Sequence, residues 1–89
     1  MLEYSLEQQC RNIVKSLDGI AIKLNPVNAR GIPDRLVMLP GRIMFIEFKR
    51  PGGKVRANQQ HWIDRLRSMG LEAHVVDNVD QFMSIINAE

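Results

Sequence analysis

The chain has 89 residues, 45% of them apolar, with twelve Lys/Arg against ten Asp/Glu and a net charge of +2. That length and apolar share suit one small globular domain with a modest core, expected over residues 1–89. No apolar run is long enough to span a membrane, and a single cysteine, Cys10, excludes an internal disulfide or a cysteine-rich zinc site. The opening residues lack the basic and apolar regions of a signal peptide, so a reducing cytoplasm is the expected setting.

A first helix is expected over residues 5–17. Leu6, Cys10, Ile13, Val14 and Leu17 recur at helical spacing, and Ser5 with Gln8 reads as a capping box. Cys10 reads as core. Glu7 lies about 20° around the helix from Val14, so it borders the apolar stripe. There it either complements the helix dipole or reaches inward to a site. Glu3 takes its place if the helix begins earlier.

Asp18-Gly19 ends that helix. Ile20, Ile22 and Leu24 alternate with Ala21, Lys23 and Asn25 as a first strand, stopped by Pro26. Asn25 to Gly31 is then a loop. Asn28 and Arg30 are its candidates for touching phosphate, the alternative being a plain connection.

Arg35–Leu39 and Arg42–Lys49 read as two strands joined at Pro40-Gly41 into an antiparallel hairpin. Gly31-Ile32-Pro33 delivers Asp34 to the start of one strand. Glu47 and Lys49 end the other. The stretches from Asp34 to Leu39 and from Arg42 to Glu47 are equal in length and opposite in direction, which sets Asp34 across from Glu47. Side chains alternate along a strand, so Glu47 and Lys49 point one way and Met44, Ile46 and Phe48 the other.

Two carboxylates beside an ammonium suit a hard divalent cation, which takes oxygen ligands. Asp34, Glu47 and the backbone carbonyl of Phe48 would supply them. Lys49 would then orient water or neutralise charge on a phosphodiester. A solvated edge strand carrying an ordinary Glu/Lys pair is the alternative.

The next stretch, Lys49 to Arg56, sets four cations around a Pro-Gly-Gly centre. A second helix is expected over residues 57–69, with Trp62, Ile63, Leu66 and Met69 as its buried stripe and Gly70 as terminator. Gln59 shares that stripe, and an inward glutamine needs hydrogen-bond partners. The site's carboxylates, a water or a phosphate would serve, the alternative being a half-exposed glutamine in the first turn. Leu71–Val76 reads as a fourth strand lying parallel to the third. Asn78 opens a last helix with Val79, Phe82, Met83 and Ile86 inward. His61 and His74 share no ligand spacing.

The charge is unevenly spread. Lys23 to Arg67 holds ten Lys/Arg and three acids, two of the three being Asp34 and Glu47, whereas the flanks hold two Lys/Arg and seven acids. Basic charge therefore surrounds the candidate site, and nucleic acid is the polyanion expected there.

The order helix, three strands, helix, strand, helix, with Pro33-Asp34, Glu47-Phe48-Lys49 and Gln59, resembles the PD-(D/E)xK nuclease superfamily. Within it the chain is most similar to the VRR-NUC (virus-type replication-repair nuclease) domain. Gly31 to Asp34, Glu47 to Lys49 and Gln59 to Trp62, running on through Leu66 and Gly70, carry the likeness. It implies an α/β fold with a restriction-endonuclease-like core, order αβββαβα, and a mixed central sheet flanked by helices. It also implies Mg²⁺ or Mn²⁺ held by Asp34, Glu47 and a helix-one glutamate matching Glu7. Lys49 would be the catalytic lysine and Gln59 the glutamine of the following helix.

Lacking added domains, the chain looks like the stand-alone bacteriophage form, which would act in the host cytoplasm. That form resembles archaeal Holliday-junction resolvases. A homodimer cutting branched or four-way DNA is the expectation this gives, with Lys23, Arg30, Arg50, Lys54 and Arg56 holding the DNA backbone. The alternatives are a monomeric nuclease of flaps or ends, a silent branched-DNA-binding module, and an adaptor without nucleic acid.

Overall fold

The computed structural model describes residues 2–25 and 27–88. Its elements run α1 (Glu3–Ser16), β1 (Ile20–Lys23), β2 (Arg35–Leu39), β3 (Arg42–Phe48), α2 (Ala57–Ser68), β4 (Glu72–Val76) and α3 (Val79–Asn87). The four strands form one sheet in chain order. β2 pairs antiparallel with β1 on one side and β3 on the other, and β4 joins β3 in parallel through the α2 crossover. This is the αβββαβα order and mixed sheet expected from the sequence.

Period-two alternation divides the sheet's side chains between two layers. Val37, Met44, Ile46, Phe48 and Val76 pack with Leu6, Cys10 and Val14 of α1 and Phe82 of α3. The Phe48 and Phe82 rings lie 6.3 Å apart, centroid to centroid, in a tilted pair. Burying such side chains contributes about 1.5–3 kcal/mol each. On the opposite face Ile63 and Leu66 of α2 pack on Ala73, Phe45, Val55 and Val75. α2 thus roofs only the β3–β4 half of that face. Register aligns Ile20, Met38 and Ile43 in one row and Ile22, Leu36 and Phe45 in the next. Ile20, Ile43 and Ile22 remain 60%, 57% and 44% exposed.

Several boundaries differ from the sequence expectation. α1 begins at Glu3, with Leu2 at its N-cap and no side-chain cap, so Ser5 and Gln8 lie inside the helix. Burial of Leu6 in the first turn outweighs the local capping signal. β1 ends at Lys23, although the Leu24 N–H still donates to the Asp34 carbonyl at 2.8 Å. Pro26, its expected stop, lies outside the described residues. Met69, placed in the buried stripe of the second helix, is 51% exposed because α2 ends at Ser68 and the chain turns at Gly70 with φ +79°. Trp62 is half-buried rather than core, and its indole N–H donates to the Arg30 carbonyl at 3.0 Å.

At the sheet end where β3 begins, Arg42 clamps three elements. Its guanidinium donates to both Glu72 carboxylate oxygens at 2.7 Å and to the carbonyls of Ile85, Ile86 and Ala88. The last carbonyls of a helix have no partner of their own, so one side chain satisfies the end of α3 and ties it to β4. The pair holds the Glu72 carboxyl down at about 2, and raises Arg42 in turn.

Candidate metal centre

At the other end of the sheet the hairpin register sets the site. Arg35 pairs with Ile46, so one residue further Asp34 stands beside Glu47. The loop before Asp34 needs particular backbone freedom. Gly31 has φ +97°, and a Cβ there would lie 2.7 Å from the Asn58 carbonyl oxygen. Glycine alone allows the loop to press against the start of α2. Pro33 is fully buried behind it. One Asp34 oxygen accepts the Phe48 backbone N–H at 3.2 Å, which fixes the carboxylate against the end of β3.

Glu47 is the one buried charged residue among those described, at 2% exposure. Its Oε2 lies 3.7 Å from the Lys49 Nζ and accepts from the Gln59 Nε2 at 3.5 Å. The other end of that amide, Gln59 Oε1, accepts the Arg56 N–H at 2.9 Å at the start of α2. With the oxygen committed to the backbone, the NH₂ group is the end that faces Glu47. Burial, then the adjacent Asp34 carboxyl, pushes Glu47 up to about 8, with Lys49 opposing and Glu3 adding.

The third carboxylate is Glu3. Oxygens of Glu3, Asp34 and Glu47 all lie within 4.8 Å of one another. Such crowding is costly without a cation, and an all-oxygen donor set fits Mg²⁺ or Mn²⁺ rather than a softer metal.

Glu7, the helix-one candidate, is not in this group. Because α1 begins at Glu3, its added first turn carries Glu3 to the site, and Glu7 lies one turn beyond it. Its Oε1 meets the Arg35 Nε at 3.4 Å, with the side chains 17% and 11% exposed. Sequence reasoning held Glu3 as a substitute. A usable signal was its spacing, since Glu3 lies seven residues before Cys10 and so on the same side of the helix. Sequence reasoning missed Arg35, which directly follows Asp34 and pairs with Glu7. The Arg35–Glu7 contact spans 28 residues of sequence, so no local pattern announces it.

The basic loop closes one side. Glu3, Lys49, Arg50, Gly53, Lys54 and Arg56 line a cleft of about 310 Å³. Lys23, Asn28 and Arg30 are exposed but outside this cleft. A larger hollow of about 490 Å³ lies at the Arg42 end, lined by Glu72, His74 and Gln81 among others. It contains none of the three grouped carboxylates.

The VRR-NUC domain family model matches residues 1–80. A protein of Acyrthosiphon pisum secondary endosymbiont phage 1, named "Putative nuclease p44", is 40% identical over 79 residues, covering 88% of this chain and 85% of that protein. A solved structure described as a VRR_NUC domain superposes with a TM-score of 0.88 at 30% identity, covering 94% of this chain and 92% of that one.

Proposed function

This chain belongs to the VRR-NUC domain family, and on that premise we propose that it is a Mg²⁺- or Mn²⁺-dependent DNA endonuclease acting on branched DNA. The observation that carries the reading is the convergence of Glu3, Asp34 and Glu47 oxygens within 4.8 Å, with the Lys49 ammonium 3.7 Å from Glu47. Glu3, Asp34 and Glu47 hold the ion. The Phe48 carbonyl joins them, leaving β3 on the same side as the N–H that bonds Asp34. A bound ion lowers the pKa of its water and stabilises charge on the phosphodiester. Lys49 orients the attacking water and offsets phosphate charge. Gln59 holds Glu47 in place. Arg50, Lys54 and Arg56 grip backbone phosphates beside the ion, while Lys23, Asn28 and Arg30 extend that contact outward.

The substrate is a four-way junction and the active form a homodimer, encoded by a phage and working in its host's cytoplasm. Support for the dimer comes from the sheet. Its β4 edge is covered by Arg67 and Gln81, whose side chains donate to the Ala73 and Val75 carbonyls. β1, the other edge, carries the exposed Ile20 and Ile22. The apolar rows there lie on the same face as Glu47, so a second copy docked on them brings two sites onto one substrate.

Cleavage of a labelled four-way junction, beside duplex, flap and single-stranded DNA of matched sequence, tests this. It is run with Mg²⁺ or Mn²⁺ on the wild type and on Glu47→Ala. Paired, metal-dependent incision of the junction, lost in the variant, is expected. Cutting of flaps or ends alone would retain the nuclease and discard the junction. Tight junction binding with no cutting under either metal would mark a silent binding module.

A further inference from the structure

Glu3 is an insecure place for a ligand. It is the first residue of α1, exposed, in a helix whose N-cap offers no side-chain hydrogen bond. Helix ends of this kind fray. Yet its carboxylate must meet Asp34, just before β2, and Glu47 in β3. A tie between α1 and that end of the sheet is therefore needed.

The Arg35–Glu7 pair is placed to be that tie. Glu7 lies four residues after Glu3, on the same helix face. Arg35, the first residue of β2, directly follows Asp34. The ion pair thus joins the turn after one carboxylate to the residue after another. Both partners are largely shielded from water, at 11% and 17% exposure, so bulk solvent screens the pair less than it would an exposed one. Glu7 is also held away from the cluster. Its charge bears on the Cys10 thiol, whereas the acids bearing on Glu47 are Asp34 and Glu3.

We propose that Arg35 and Glu7 are positioning residues that fix the register of α1 on the sheet, so that Glu3 rather than Glu7 completes the metal-binding carboxylate group. This rests on the reading that Glu3, Asp34 and Glu47 hold the ion. Neither Arg35 nor Glu7 touches the ion or the substrate. Their effect passes through Glu3 alone.

A double-mutant cycle on Mn²⁺ affinity tests it without reference to cleavage. Mn²⁺ binding to the whole chain is measured by electron paramagnetic resonance for wild type, Arg35→Met, Glu3→Gln and the double variant, with Glu47→Ala as the site control. Circular dichroism checks each fold. Arg35→Met should weaken Mn²⁺ binding about tenfold, the scale typical of outer-shell partners. In the Glu3→Gln background it should cost almost nothing further. A loss from Arg35→Met that is undiminished without Glu3 would overturn the proposal, as would Arg35→Met binding like wild type. Wild-type affinity in Glu47→Ala would instead overturn the site reading, and the proposal with it. Should Arg35→Met not fold, the milder Glu7→Gln takes its place in the same cycle, with the same two outcomes deciding.

Discussion

Gln59 bridges two parts of the chain that share no strand pairing. Its Nε2 donates to Glu47 Oε2 at 3.5 Å, and its Oε1 accepts from the Arg56 N–H at 2.9 Å. One amide therefore caps α2 and steadies the most buried acid of the site. Gln59→Leu removes both bonds at similar volume. The loss of the cap should cost about 1 kcal/mol of stability, read from urea unfolding. On the proposed reading, cleavage rate should fall about tenfold or more with little change in DNA affinity, because Gln59 would act on a metal ligand rather than on the substrate.

Glu47 gives a pH dependence with a definite sign. Its carboxyl is raised from an ordinary 4.5 to about 8 in the fold. Between those values the folded state holds a proton that the unfolded chain has lost. Metal-free stability is therefore full below pH 4.5, declines as pH rises, and is flat above about 8. The decline should be on the order of a few kcal/mol, and Glu47→Gln should flatten it while abolishing cleavage. An ion held by Glu47 would have to displace the same proton. Apparent Mn²⁺ affinity should then climb by about tenfold per pH unit towards pH 8. Thermal melts and Mn²⁺ titrations at pH 5, 6, 7 and 8 check both limbs, and a stability that rises with pH would refute the assignment.

Lys54 and Arg56 share the cleft that contains Glu3 and Lys49. If each neutralises one phosphate, Lys54→Ala or Arg56→Ala should lower the slope of log affinity against log salt by about one unit. The loss should be similar for different DNA sequences, since phosphate contacts carry no base information. Fluorescence anisotropy at several salt concentrations measures it, with Mg²⁺ replaced by Ca²⁺ to hold the DNA uncut. An unchanged slope would remove that residue from the interface.

The strands and the Asp34–Glu47 juxtaposition were legible in the sequence for a simple reason. A hairpin with a two-residue turn fixes register, and register fixes which side chains meet. The start of α1 was not legible. Ser5 offers a local cap, but burying Leu6 against the sheet draws the helix back to Glu3. That added first turn brings Glu3, rather than Glu7, to the site. Nor could the Arg35–Glu7 or Trp62–Arg30 contacts be read from periodicity, because each joins residues about thirty apart in sequence. Trp62 shows the same limit from another side. Its spacing matches a buried stripe, yet its indole N–H needs a partner and finds one in a loop at the protein's surface.

The uncovered half of the sheet yields the last expectation. Ile20, Ile22 and Ile43 are exposed on the face that α2 leaves bare, with Leu36 and Met38 half-buried between them. Single exposed apolar residues are ordinary, but a contiguous set on a flat sheet marks an interaction surface. A self-associating chain should lose its dimer on Ile22→Glu, because a two-fold axis places that charge at the same apolar interface twice. The substitution lies on a solvent-facing position, so the fold should survive within about 0.5 kcal/mol. Sedimentation should then show a monomer at concentrations where the wild type is dimeric. On the proposed reading, junction cleavage should then pass from paired cuts to single nicks, while Mn²⁺ affinity, which depends on residues within one chain, should be kept. A dimer that persists in Ile22→Glu would move the interface off this face.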